Sequence, residues 1–167
     1  MTSLRVAANA LDLALYRRAR SLAHTPETVR WVRRYSLLGE HGAVWLVGGL
    51  AGAVADGDRR GRWLRATVCV ASAYLLSTSI KMAIGRARPL VEDLPHLMAT
   101  PTGLSFPSSH STSSFAAVQA FGDLVPRTPV LAGAAAMAFS RLYLGVHYPS
   151  DIVAGAALGT VIGRLGR

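Results

Sequence analysis

Apolar residues in this chain gather into long runs at 37–55, 63–80, 111–125, 130–146 and 152–165, with most charges in the segments between them. A helix needs about 20 residues to cross a hydrocarbon core of about 30 Å. Runs of this length, extended by their polar flanks, predict about five transmembrane helices. The pattern ahead of them differs. Leu4, Ala8, Leu11 and Leu15 recur at helical spacing and Arg17, Arg18 and Arg20 follow, which predicts an amphipathic helix lying on anionic headgroups or packed on protein. Asp12 interrupts the apolar stretch and the arginines come after it; a signal peptide has the opposite order, so no cleavage is expected. Thr25-Pro26-Glu27 opens a second helix, with Thr25 as N-cap, proline at the first helical position and an acid favoured by the helix dipole.

No internal repeat or low-complexity linker divides the chain. The expected organisation is an N-terminal amphipathic segment over 1–35 and a transmembrane domain over 36–167, together an all-α polytopic membrane helix bundle. Composition agrees: of 167 residues, 51% are hydrophobic, 16% are charged and 16 are glycine, too apolar for an ordinary soluble domain. The net charge of +9 raises nucleic acid as a partner, but the arginines sit at the ends of apolar runs and not along one stripe or tail. No nucleic acid is expected. Cys69 is the only cysteine, which excludes an intrachain disulfide and a cysteine metal site. Gly48 and Gly52, then Gly155, Gly159 and Gly163, recur every fourth residue and predict close helix approach through small faces.

Some polar residues do not belong in such a chain. Lys81, Arg86 and Arg88 close the second run, His110 opens the third, and Arg141, His147 and Asp151 bracket the junction of the fourth and fifth. Ionisable groups at membrane depth are costly and usually functional. In an up-and-down bundle the loops after the second and fourth spans lie on the same face, so these groups converge. Cations, two histidines, a carboxylate and a serine pair opening a helix suit an anion with several oxygens, namely phosphate. Phe106-Pro107-Ser108-Ser109-His110 offers backbone N–H groups at a helix N-terminus. Lys81 is the only lysine among 18 Lys and Arg residues, which points to a compact charge at that position.

Three segments resemble the signatures of the type 2 phosphatidic acid phosphatases, in order and at full spacing: KMAIGRARP at 81–89, PSSH at 107–110 and SRLYLGVHYPSD at 140–151. Each alone is weak; together they are specific. The resemblance implies that His147 is the nucleophile, that Asp151 fixes its tautomer, and that His110 protonates the leaving oxygen and later activates water. It further implies that Lys81, Arg88, Arg141, Ser108 and the amides of Ser109 and His110 hold the phosphoryl oxygens, with no metal and no cofactor. The family usually has glycine where this chain has Ser109, so the approach to the cradle is narrower. Arg86 falls outside the named motif positions and reads as a headgroup-facing charge. His24, His41 and His96 read as surface or interfacial, Tyr143 and Tyr148 as interfacial anchors, and the proline-rich segment 89–107 as a loop that either rims the pocket or is a plain connector.

The resemblance also implies a multi-pass protein of a bacterial plasma membrane with an outward-facing site. Charge does not settle the orientation, because Arg59, Arg60, Arg62, Arg65, Arg127, Arg164 and Arg167 oppose Arg17, Arg18, Arg20, Arg30, Arg33 and Arg34. The expected partners are membrane lipids and a lipid-phosphate substrate, with homo-oligomerisation left open. Decaprenylphosphoryl-5-phosphoribose is the favoured substrate, with phosphatidic acid, phosphatidylglycerol phosphate and undecaprenyl diphosphate as alternatives. The rival readings are a non-enzymatic lipid carrier and a vanadate-dependent haloperoxidase sharing the same pocket.

Overall fold

In the computed structural model the described residues are 2–22 and 24–166, with side chains from residue 9 onward. Leu4, Ala8 and Arg167 lie outside the described side chains. The described residues form α1 (Thr2–Arg20), α2 (Pro26–Leu38), α3 (Ala43–Ala55), α4 (Arg60–Ile84), α5 (Ser109–Ala120), α6 (Arg127–Tyr143) and α7 (Pro149–Leu165), and among them there is no strand beyond an isolated bridge between Ala87 and Leu104. Thr25 caps α2 as expected, its side chain accepting from the Thr28 N–H at 3.1 Å.

Helix α4 shows how the pattern works. Ala66, Val70, Ala73, Ser77 and Lys81 are buried, spaced three or four apart on one face, and that face changes from apolar to charged as it runs toward the site. Val68, Leu75 and Met82 on the other side are exposed. Apolar side chains outside and polar ones inside invert the order of a soluble protein and fit a lipid surround. Gly85, at φ +66°, ends the helix in a left-handed conformation that favours glycine.

The central helix is α5, flanked by α4, α6 and α7. Ser111, Thr112, Ser113 and Ser114 are buried in it. Their hydroxyls find partners within the helix and across to α3: Thr112 Oγ1 donates to the Ser108 carbonyl at 3.0 Å, Ser113 Oγ to that of Ser109 at 3.0 Å, and Ser114 Oγ accepts from Trp45 Nε1 at 2.9 Å. The closest approach is to α7. A Cβ built on Gly155, Gly159 or Gly163 would stand 2.5, 2.1 or 2.6 Å from the carbonyl oxygens of Ser108, Thr112 and Ala116, so the two backbones meet along the small face read from the sequence. The other predicted face shifts by one residue. Gly48 faces nothing within 4 Å, whereas Gly49 and Gly52 meet Thr67, Phe121 and Trp63, because α3 turns that edge toward α4.

The run at 37–55 is broken. Gly39 to Gly42 form a tight turn in which His41 (φ +54°) and Gly42 (φ +72°) are left-handed, and the helices on either side are bent by 48°. Among the described residues the helical stretch Gly57–Ile84 is long and apolar enough to cross a membrane, and the bent pair Pro26–Leu38 and Glu40–Ala55 passes the same test only when joined. Helices α5, α6 and α7, at 12, 17 and 17 residues, fall short of it. The five predicted spans thus correspond to five helices, but length and hydropathy mark only one or two of them.

Helix α1 packs on protein, one of the two settings expected of it, but through a face that the apolar spacing did not mark. Its buried stripe is Asp12, Tyr16 and Arg20, while Leu11 and Leu15 are exposed. The polar face packs on protein: Tyr16 OH donates to the Gly145 carbonyl at 3.2 Å, and Arg20 to the carbonyls of Tyr143 at 2.8 Å and Pro95 at 2.7 Å. Arg20 is therefore not a headgroup ligand. Tyr143 is buried and stacks on His24, so it is no interfacial anchor either.

Candidate functional site

The motifs converge at one end of the bundle. The loop after α4 is pinned at its base, where the N–H groups of Arg88 and Ser105 donate to the carbonyls of Gly103 and Arg86 at 3.1 and 2.7 Å. It is tied to the loop after α6 by Leu97 N–H donating to the Leu144 carbonyl at 3.0 Å. Between these loops and the turn at 39–42 lies a cavity of about 100 Å³. Lys81, Arg88, Arg141, Ser109, His110 and His147 line it, with Glu40, His41, Tyr74, Thr78, Pro101 and Thr102 at its other walls. Ser108 and Asp151 stand behind this wall, fully buried. The loop at 89–107 contributes Pro101 and Thr102 to the cavity wall.

Backbone carbonyls hold Lys81 and Arg88, and a side-chain hydroxyl holds Arg141. Lys81 Nζ donates to the carbonyls of Ser105 and Pro107 at 3.0 and 2.7 Å. Arg88 donates to those of Thr102 and Val146 at 2.9 and 2.5 Å. Burial, offset in part by Asp151, pulls the Arg88 guanidinium down to about 10, still far above neutrality, so it remains charged. Arg141 donates to Ser36 Oγ at 2.6 Å. None of the three closes an ion pair within 4.0 Å among the described residues, which leaves their charge directed at whatever enters the cavity.

His147 has a defined tautomer. Arg88 Nη1 lies 3.3 Å from its Nε2, and a guanidinium can only donate, so Nε2 presents a lone pair. The ring proton then sits on Nδ1, which faces Asp151 Oδ2 at 3.4 Å. That is a long approach, and Nδ1 makes no closer hydrogen bond. Burial, then the charges of Arg141, Arg88 and Lys81, push His147 well below the ordinary imidazole range, which keeps the ring neutral and its Nε2 available near neutral pH. His110, in the first turn of α5, lies with Nε2 3.2 Å from the Ser36 carbonyl; a carbonyl only accepts, so this nitrogen carries a proton.

Two serines behave differently from each other. Ser108 caps α5, its hydroxyl accepting from the Ser111 N–H at 3.4 Å and from Ser111 Oγ at 3.1 Å, so its side chain is engaged away from the cavity. Ser109 lines the cavity and accepts from Ser77 Oγ at 3.1 Å, which fixes the side chain that stands where glycine was expected.

Arg86 is not a headgroup-facing charge. It donates to Asp12 at 2.8 Å and to Asp151 at 2.8 Å, and its guanidinium lies 4.3 Å above the Tyr148 ring. Burial works against its charge, but the hydrogen bonds and charges of Asp12 and Asp151 outweigh it and hold Arg86 above its ordinary value. Sequence reasoning also missed Ser36, which anchors both His110 and Arg141, and the turn residues Glu40 and His41. The signal for Asp12 was present, as the carboxylate that interrupts the apolar stretch of α1; the turn had a weaker one in the two glycines that flank it.

A helical bundle with a cation-walled cavity and a buried His–Asp pair defines the class, and comparison with known proteins gives the family. The chain belongs to the PAP2 superfamily, whose family model matches residues 62–166. It is 37% identical over 145 residues to the decaprenylphosphoryl-5-phosphoribose phosphatase of Mycobacterium tuberculosis, covering 87% of this chain and 82% of that one. Its fold is similar to that of Aquifex aeolicus LpxE, with a TM-score of 0.80 at 23% identity over 93% of this chain and 94% of that one. It is also similar to that of a transmembrane PAP2-type phosphatidylglycerolphosphate phosphatase from Bacillus subtilis, with a TM-score of 0.79 at 24% identity over 96% of this chain and 84% of that one.

Proposed function

We propose that this protein is a multi-pass bacterial plasma-membrane phosphatase that removes phosphate from a polyprenyl-linked sugar phosphate through a phosphohistidine on His147, with its site facing outward. The observation that carries the chemistry is the His147 ring, whose Nε2 lone pair stands beside Arg88 while Nδ1 faces Asp151. Nε2 attacks phosphorus, the bond to the leaving oxygen breaks, and His110 supplies the proton that oxygen takes up. Asp151 supports the positive ring that forms. Water, deprotonated by His110, then attacks the phosphohistidine and regenerates Nε2. Lys81, Arg88 and Arg141, with the amides opening α5, stabilise the charge on the three equatorial oxygens.

The substrate class rests on two supports. The M. tuberculosis relative is named for a decaprenyl-linked phosphoribose, and the cavity mouth suits hydroxyl groups. His41 Nδ1 and Tyr74 OH lie 2.7 Å apart there, beside Glu40 and Thr78, a set of donors and acceptors that a diacylglycerol would leave unused. His41 adopts a left-handed backbone that is uncommon outside glycine. Tyr74→Phe is expected to raise KM for decaprenylphosphoryl-5-phosphoribose about 10-fold, the scale of a lost hydrogen bond, and to leave phosphatidic acid hydrolysis within about two-fold. Equal effects on both substrates would remove the sugar-recognition reading.

Phosphate release by purified protein in detergent tests the function, against decaprenylphosphoryl-5-phosphoribose, phosphatidic acid, phosphatidylglycerol phosphate and undecaprenyl diphosphate, with His147→Ala as blank. Release above the blank with preference for the sugar phosphate is the expected result. No release from any of them would leave a phosphate-binding carrier as the better reading. EDTA is expected to leave activity unchanged, since three cations already face the phosphoryl group; loss in EDTA restored by Mg²⁺ would overturn the metal-free mechanism.

A further inference from the structure

We propose that Arg86 and Asp12 are positioning residues that fix the Asp151 carboxylate for His147, making α1 a structural part of the active site. This rests on the reading of His147 as nucleophile. Each oxygen of Asp151 has a separate task. Oδ2 accepts from the Tyr148 N–H at 2.9 Å and faces His147 Nδ1 at 3.4 Å. Oδ1 accepts from Arg86 Nη1 at 2.8 Å. Without Arg86, Oδ1 loses that donor and the carboxylate is held chiefly through Oδ2 by the Tyr148 N–H, so its plane is less tightly aligned with the imidazole.

Arg86 is itself held. The same Nη1 donates to Ser150 Oγ at 2.7 Å, while Nη2 donates to Asp12 Oδ2 at 2.8 Å. Asp12 completes the clamp by accepting from the Ser150 N–H at 2.9 Å and from Ser150 Oγ. It thereby ties α1 to the first turn of α7, the turn that carries Asp151. The chain is Asp12, Arg86, Asp151, His147, and it joins residues 138 positions apart in sequence at Asp12 and Ser150. Asp12 and Asp151 are buried, and among the described residues Arg86 is the one cation within 4.0 Å of both. Removal of that cation leaves two unpaired carboxylates, and lysine cannot replace it, because one ammonium does not span both acids in the planar geometry of a guanidinium. The motif cations Lys81, Arg88 and Arg141 instead line the cavity, so Arg86 acts from behind the site and not on the substrate.

A purely structural role and a positioning role give different kinetics. Arg86→Ala and Asp12→Asn, made in the full chain and assayed in detergent with decaprenylphosphoryl-5-phosphoribose and phosphatidic acid, are expected to lower kcat roughly 10- to 100-fold, the usual cost of misorienting a reacting group. KM should stay within about three-fold. In an Asp151→Asn background the same changes should cost less than about two-fold, because the carboxylate they orient is gone. Asp12→Asn keeps the side-chain shape, so it serves if Arg86→Ala fails to fold, and elution from gel filtration reports folding for each variant. Equal losses with and without Asp151, or a loss confined to KM, would overturn the proposal. Activity surviving in His147→Ala would instead overturn the nucleophile reading, whereas an inactive His147→Ala beside fully active Arg86→Ala and Asp12→Asn would sink only the clamp.

Discussion

Replacing His147 with alanine should lower kcat by roughly 10⁴-fold or more, as removal of a covalent nucleophile does elsewhere, while changing KM by only a few-fold. The asymmetry follows from the division of labour in the cavity. Lys81, Arg88 and Arg141 supply the attraction for phosphate and remain in place, each held by bonds that do not involve His147 alone. Only the attacking atom is lost. Of the histidines lining the cavity among the described residues, His147 alone has a ring nitrogen facing one of its cations: His110 has its Nε2 proton on the Ser36 carbonyl, and His41 shares its Nδ1 with Tyr74 at the mouth. The covalent step can be seen directly. Enzyme quenched in alkali after mixing with labelled substrate should retain label that acid then releases, the stability pattern of a phosphorus–nitrogen bond. His147→Ala should retain none. His110→Ala should slow both steps without removing the label. Residual turnover above about 1% in His147→Ala, or label stable to acid, would require a different nucleophile.

Much of this site was legible in the sequence because its parts are local. Helical spacing puts Lys81 on the buried face of α4 with Ser77 and Ala73, and Asp151 follows His147 by one helical turn, so motif and geometry carry the same information. What local pattern cannot give is which distant face a residue meets. Asp12 looked like a flaw in an apolar stripe, yet it is among the residues through which α1 docks. Arg86 looked surplus beside Arg88, two positions on, yet alternate loop residues point opposite ways: one into the cavity and one behind it. The turn at 39–42 was hidden because its flanks are apolar enough to read as one span, and Gly48 was preferred to Gly49 because regular spacing does not say which edge of a glycine face is occupied.

The largest effect on the fold should come from Gly159. A side chain there has no room that a rotamer change can create: its Cβ would lie 2.1 Å from the Thr112 carbonyl oxygen and 2.9 Å from the Ala116 N, both backbone atoms of α5. Gly159→Leu must therefore push α5 and α7 apart, at a cost of about 3 kcal/mol or more by the scale of overpacked cores. In lipid little else holds these helices, since apolar contact with a neighbour gains hardly more than contact with acyl chains. The damage is also functional, because α5 carries His110 in its first turn and α7 carries Asp151 in its own. Gly48→Leu is the matched control, on a helix face with nothing within 4 Å, where the exchange should be neutral or mildly stabilising through helix propensity. Thermal unfolding in detergent should separate the two variants clearly, with Gly159→Leu melting well below the parent and losing phosphatase activity even where it stays folded. If both melted alike, the backbone contact between α5 and α7 would not be what holds the two halves of the site in register.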